Sequence, residues 1–152
     1  MAIFENIQTI IWDWNGTLLN DIDLCIEIIN RLLQKRNLPY LNSEKYREIF
    51  SFPVKDYYEK IGFDFQKEPF EIPAKEFINQ YNSKVDQCDL HQGAHDVLCH
   101  FQKIGKKQII LSAMEQNILE STLNHHHIIK YFDEVSGLDN HFAASKIDNG
   151  KN

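Results

Sequence analysis

Residues 10–19 read IIWDWNGTLL: two isoleucines and a tryptophan run into Asp13, and Asn15-Gly16-Thr17 then breaks the run. The segment IQTIIWD (7–13) carries apolar side chains at consecutive positions near its end, the pattern of a parallel strand buried on both faces. Asn-Gly is a strong turn dipeptide, so this strand delivers a carboxylate to the mouth of a turn. An Asp in that position often only hydrogen-bonds the turn backbone. In an open α/β sheet, however, ligands bind at the carboxyl ends of the strands, which makes Asp13 a candidate nucleophile or metal ligand.

Beyond the turn, Ile22, Cys25, Ile26, Ile29, Leu32 and Leu33 recur at helical spacing, with acids early and Lys35-Arg36 late. Ser43 caps a second predicted helix with Tyr46, Ile49 and Phe50; Pro53 opens a third, stopped by Gly62; a fourth runs from about Pro73 through Tyr81 to Val85. From Gly93 the style changes. A helix with Val97, Leu98 and Phe101 closes at Gly105, and Ile109-Ile110-Leu111 form a short strand ending at Ser112. A further helix (Ile118, Leu119, Thr122, Leu123) leads to a third strand at the end of KYFDEVSGL. This alternation implies a parallel sheet, so the expected fold is α/β with an all-helical insert. Residues 1–19 and 89–152 make the discontinuous core, residues 20–88 the insert, with hinges near 18–21 and 86–91.

The 152-residue chain is 43% hydrophobic and 25% charged, a globular composition long enough for one core and a small subdomain. Its net charge of -6 and scattered lysines give no footprint for nucleic acid or an anionic membrane. The N-terminus MAIFENIQ lacks the features of a secretory signal, and no stretch approaches transmembrane length, so the expected location is cytoplasmic. Cys25, Cys88 and Cys99 are odd in number with no C-x-x-C pair, and read as reduced, mostly buried thiols.

Asp13 with its NGT turn, Ser112 after IIL, and Lys146 in AASK all follow apolar strands, whose ends gather on one edge of a parallel sheet. A carboxylate, a hydroxyl and an ammonium around one point suit a phosphoryl group. The Asp attacks phosphorus, while Ser and Lys balance charge on its equatorial oxygens. On these residues the sequence resembles the haloacid dehalogenase-like hydrolases, within them the phosphoglycolate phosphatase-like branch with a helical cap. The family's first motif, D-x-D-G-T-[LV], is matched by DWNGTL at 13–18. Its second, an apolar strand ending in Ser or Thr, is matched by IILS at 109–112, and its third by Lys146, with Lys151 as the alternative. LHQGAHDVL (90–98) resembles the segment by which such chains re-enter the core, and KYFDEVSGLDN the approach to the lysine motif.

The resemblance implies a Rossmann-like core in which Asp13, Asn15 and Lys146 are catalytic and Gly16, Thr17, Ser112 and Ala113 meet the substrate. It implies Mg²⁺ held by Asp13 and the backbone carbonyl of Asn15, with other backbone groups of the turn cradling the phosphate and Thr17 bracing the turn. For Ser112 a second role is open, as N-cap of a helix beginning at Ala113. The implied function is Mg²⁺-dependent hydrolysis of a small phosphorylated metabolite through an aspartyl-phosphate.

Two departures qualify that function. Asn15 stands where the family has its second Asp, the general acid for the leaving group and later the base for water, and a carboxamide can do neither. The family's fourth motif, an acidic pair after a further strand, has no counterpart after residue 112. That strand lies beside the first in the family, so an open sheet edge is expected, with the C-terminal part of the core missing. Either the sequence is a piece of a longer chain, or a dimer mate or partner chain covers the edge. One alternative function is therefore a catalytically impaired binding or regulatory relative. Another is carbon–halogen hydrolysis by the same Asp without metal, which the NGTL turn disfavours.

Other residues read structurally. His125-His126-His127 end a helix and point in different directions, unsuited to sharing an ion. Trp12 reads as core and Trp14, in the turn, as a pocket residue. The aromatics of FSFPVKDYYEKIG are core, with Lys55 and Tyr58 as weaker substrate candidates. No G-x-G-x-x-G or P-loop pattern is present.

Overall fold

The computed structural model describes residues 5–139. In chain order its elements are β1 (Thr9–Trp12), α1 (Ile22–Lys35), α2 (Ser43–Ile49), α3 (Val54–Lys60), α4 (Glu71–Lys84), α5 (Ala94–Lys103), β2 (Lys107–Glu115), α6 (Gln116–His125) and β3 (Glu134–Leu138). They fall into two compact units: a helical one, Asp21–Gln87, and an α/β one built from the chain on either side of it.

In the α/β unit the three strands are parallel in the order β1-β2-β3, with Ile11 opposite Ile109 and Ile110 opposite Val135. β2 alternates: Gln108, Ile110, Ser112 and Met114 are buried, whereas Lys107, Leu111 and Ala113 are exposed. α5 and α6 pack against the sheet and contribute the fully buried Leu98, Leu119 and Leu123, each worth roughly 1.5–3 kcal/mol of burial. The other row lies open among the described residues, with Ile11 64% and Leu111 55% exposed. The expected burial of the first strand on both faces is thus corrected: β1 is four residues long, lies at the sheet edge among the described residues, and has one covered face.

Gln108 ties this unit together. Its fully buried side chain accepts from Trp12 Nε1 (3.0 Å) and donates to the carbonyls of Leu98 (3.0 Å) and Tyr131 (3.2 Å). Its backbone exchanges hydrogen bonds with Asp133 (2.8 Å each). Buried polar groups persist when paired this completely. The two crossings of the chain run side by side, with Leu19 bridged antiparallel to Leu90 and the Asn20 amide donating to the Asp89 carbonyl at 2.8 Å.

The helical unit is organised by α1, whose buried face is Leu24, Ile28, Ile29, Leu32 and Leu33, packed on α4. Ion pairs join the two helices at Lys35–Glu76, Arg36–Glu76 and Lys84–Glu27. Asn30 clamps the following loop by exchanging two 2.8 Å hydrogen bonds with the Leu41 backbone. The N-cap of α2 is Asn42, whose side chain accepts from the Lys45 amide; the predicted cap, Ser43, is the first helical residue. Tyr57, Tyr58 and Phe63 are buried, but Phe50 and Phe52 of the predicted aromatic core are exposed. The three cysteines are partly exposed rather than mostly buried. No helix among the described residues is long and apolar enough to cross a membrane.

Candidate functional site

Asp13 follows directly on Trp12, the last residue of β1, and its side chain is exposed. The turn after it is built around one carbonyl: Trp14 O accepts from the amides of Thr17 (3.1 Å), Leu18 (3.2 Å) and Leu19 (3.1 Å). Gly16 makes this possible with φ +78°, a left-handed conformation that side chains other than Asn and Asp rarely adopt. The turn then grips the carboxylate. Asp13 Oδ1 accepts from the Trp14 amide (2.9 Å) and Oδ2 from the Thr17 hydroxyl (3.1 Å), so Thr17 braces carboxylate and turn together. A carboxylate oxygen accepts more than one hydrogen bond, so both retain lone pairs for phosphorus or a cation.

This geometry narrows the phosphate cradle expected of the turn, since the amides of Trp14, Thr17, Leu18 and Leu19 are already used inside it. It also exchanges the two tryptophans. Trp14 is fully buried, its ring edge-on to His126 at 5.9 Å, while Trp12 is partly exposed and hydrogen-bonded to Gln108. The chain reverses after Asp13, so period-two alternation does not carry past it.

Ser112 is buried on β2 and reaches the turn: its Oγ donates to Asn15 Oδ1 at 2.9 Å and accepts from the Met114 amide at 3.0 Å. It does not cap a helix at Ala113, because β2 continues to Glu115 and α6 begins at Gln116. β2 is irregular between Leu111 and Glu115, which pair with Ser136 and Leu138. The extra residues bulge against Gly137, where an added Cβ would lie 2.6 Å from the Met114 carbonyl. Ser112 lies within this irregular stretch, and Ala113 beside it is exposed. Asp13, Asn15, Gly16, Thr17 and Ser112 therefore form one constellation. Lys146 and Lys151 lie outside the described residues.

Among the described residues no three His, Cys, Asp or Glu side chains converge as a metal centre. His125 is exposed, His126 lies against Trp14, and His127 has left-handed φ, so the triplet points three ways. In the helical unit, Tyr58 is buried among Tyr57, Phe63 and Phe70, and Lys55 lies over the Phe65 ring. Two features escaped the sequence reading: the Gln108 hub, and a buried group in the helical unit in which Tyr81 donates to Asp21 at 2.6 Å. Their partners are far apart in sequence, so no local pattern marks them.

A family profile described as haloacid dehalogenase-like hydrolase matches residues 10–146. Several solved structures share the fold. A haloacid dehalogenase-like hydrolase from Streptococcus pneumoniae is 14% identical (TM-score 0.72), the alignment covering 95% of this chain and 70% of that one. A predicted phosphoglycolate phosphatase from Haemophilus somnus is 17% identical (TM-score 0.68; 86% and 62%). Protein Tyrosine Kinase A of Mycobacterium tuberculosis is 18% identical (TM-score 0.75; 89% and 62%). The chain thus spans from 62% to 70% of these structures, and their differing names show that the likeness speaks for fold alone. No curated protein sequence matches the chain.

Proposed function

The chain belongs to the haloacid dehalogenase-like hydrolase family, and from that premise we propose that it is a phosphomonoester hydrolase acting on a small phosphorylated metabolite. The observation that carries this reading is the exposed Asp13 carboxylate at the end of β1, oriented by the Trp14 amide and the Thr17 hydroxyl beside Ser112. In the proposed reaction an Asp13 oxygen attacks phosphorus, the ester P–O bond breaks, and the departing oxygen takes a proton from water. Water then hydrolyses the aspartyl-phosphate, releasing phosphate and regenerating Asp13. Ser112, and Lys146 from beyond the described residues, are assigned to the phosphate oxygens. The helical unit is assigned as the cap that excludes water and selects the substrate.

The donor set suits Mg²⁺, a hard cation bound by one or two carboxylates with waters and substrate phosphate filling its shell. The Asp13 carboxylate and the backbone carbonyl of Asn15 would hold it, and it would neutralise charge on the phosphate. Asn15 favours a second reading as well. Its carboxamide, held by Ser112, transfers no proton near neutral pH, which suits a relative that binds or retains phosphate without turning it over.

The test is stopped-flow cleavage of p-nitrophenyl phosphate by the full chain, with Mg²⁺ and with EDTA. The expected result is Mg²⁺-dependent nitrophenol release that disappears in Asp13→Ala. Undiminished release in that variant refutes the nucleophile, and binding without release in the parent chain favours the second reading.

A further inference from the structure

In the α/β unit, α5 carries His95 and Cys99 four residues apart, so their side chains are neighbours on one face of the helix. Both meet one point. The Tyr131 hydroxyl, from the single turn Ile129–Tyr131 that precedes β3, lies 2.9 Å from His95 Nε2, and the two rings stand edge to face at 5.2 Å. The Cys99 thiol interacts with the same hydroxyl, and the Asp96 carboxylate acts on it as well. Burial, and after it Cys99, hold the Tyr131 phenol above its ordinary range, so it is neutral at neutral pH and can donate to Nε2, whose lone pair then faces that point. Tyr131 is buried, but His95 is exposed and Cys99 half-buried, which gives an ion a path from solvent.

We propose that His95 Nε2 and Cys99 Sγ bind a zinc ion beside the Tyr131 hydroxyl. The proposal does not depend on the phosphatase reading, and the site shares no residue with the Asp13 turn. Imidazole and thiolate are ligands that zinc selects, whereas Mg²⁺ takes oxygen donors, so the two candidate sites differ in the ions they suit. On binding, the Cys99 S–H bond is replaced by a sulfur–zinc bond and the proton passes to solvent. The Asp96 carboxylate adds negative charge that favours a cation. No third His, Cys, Asp or Glu among the described residues completes the set, so water fills the rest of the shell. An ion held by residues on successive turns of α5 staples that helix, and it stabilises the unit by mass action.

The experiment titrates the reduced, metal-free full chain with Cd²⁺, a spectroscopic stand-in for zinc, and then with Zn²⁺. It reads the thiolate-to-cadmium charge-transfer absorbance and the melting temperature. The expected result is one ion per chain and a higher melting temperature with metal. Cys99→Ser abolishes both effects, and His95→Ala weakens binding by at least about tenfold. In the parent chain, which needs no substitution, Zn²⁺ protects Cys99 from iodoacetamide but leaves Cys25 and Cys88 reactive. A band that survives in Cys99→Ser puts the metal on another thiol and overturns the proposal. Undiminished affinity in His95→Ala leaves only adventitious binding to one thiol and overturns it too, as does a Cys99 that Zn²⁺ does not protect.

Discussion

Ser112→Ala tests whether the turn after β1 and the bulge of β2 form one unit. The hydroxyl is buried and makes two hydrogen bonds, to Asn15 Oδ1 at 2.9 Å and from the Met114 amide at 3.0 Å. Removing it leaves the buried Met114 N–H without its acceptor, at a cost of about 1–3 kcal/mol, and loses a bond to Asn15 worth ~0.5–1.5 kcal/mol. The alanine methyl replaces most of the volume, so no cavity term adds to this. The expected destabilisation is about 1.5–4.5 kcal/mol, read from urea midpoints at unchanged m-value. Asn15→Ala breaks the second bond and leaves the first in place. In a double-mutant cycle the pair should therefore couple by ~1 kcal/mol, the share of the hydroxyl that faces the turn. A loss below about 0.5 kcal/mol in Ser112→Ala would refute the bridge, and additivity of the two variants would show that Ser112 serves its own strand alone.

Asn15→Asp supplies a titratable group at the position where Ser112 already donates, and the slow phase of p-nitrophenyl phosphate cleavage should accelerate ~10²–10³-fold. An unaccelerated slow phase with the burst intact would show that Asn15 is not the limit on turnover. In the helical unit, burial raises the Glu76 carboxyl, but hydrogen bonds from Lys35 and Arg36 outweigh it and hold the group below its ordinary value of 4.5. A depressed acid contributes stability above the unfolded value and loses it as pH falls through the folded one. Urea midpoints should therefore drop more steeply below about pH 4.5 in the parent chain than in Glu76→Gln, and identical acid slopes would refute the role of this pair.

What could be read from the sequence is what local chemistry controls. DWNGTL announces its turn because Gly16 must take positive φ, and Asp13, Thr17 and the Trp14 carbonyl all lie within seven residues. α1 was legible for a similar reason, since its apolar stripe recurs at helical spacing. Ser112 was placed on its strand, but the strand was expected to end there, with a helix cap as the alternative role. The strand instead runs on through an irregularity against Gly137, where a Cβ would meet the Met114 carbonyl, and that information lies 25 positions further along the chain. Trp12 and Trp14 were exchanged because a residue in a turn was read as open to a pocket, whereas this turn buries Trp14 completely. The buried hydrogen bond from Tyr81 to Asp21 was invisible, because its partners lie 60 positions apart with no shared spacing. The division has a physical origin. A nucleophile must be held rigidly by its nearest neighbours, so its supports are local and leave a motif. A contact between helices needs only that side chains meet in space, and many sequences bring them together. A chain of this kind can thus disclose a candidate site from one strand and one turn, while the packing between its helices leaves no motif.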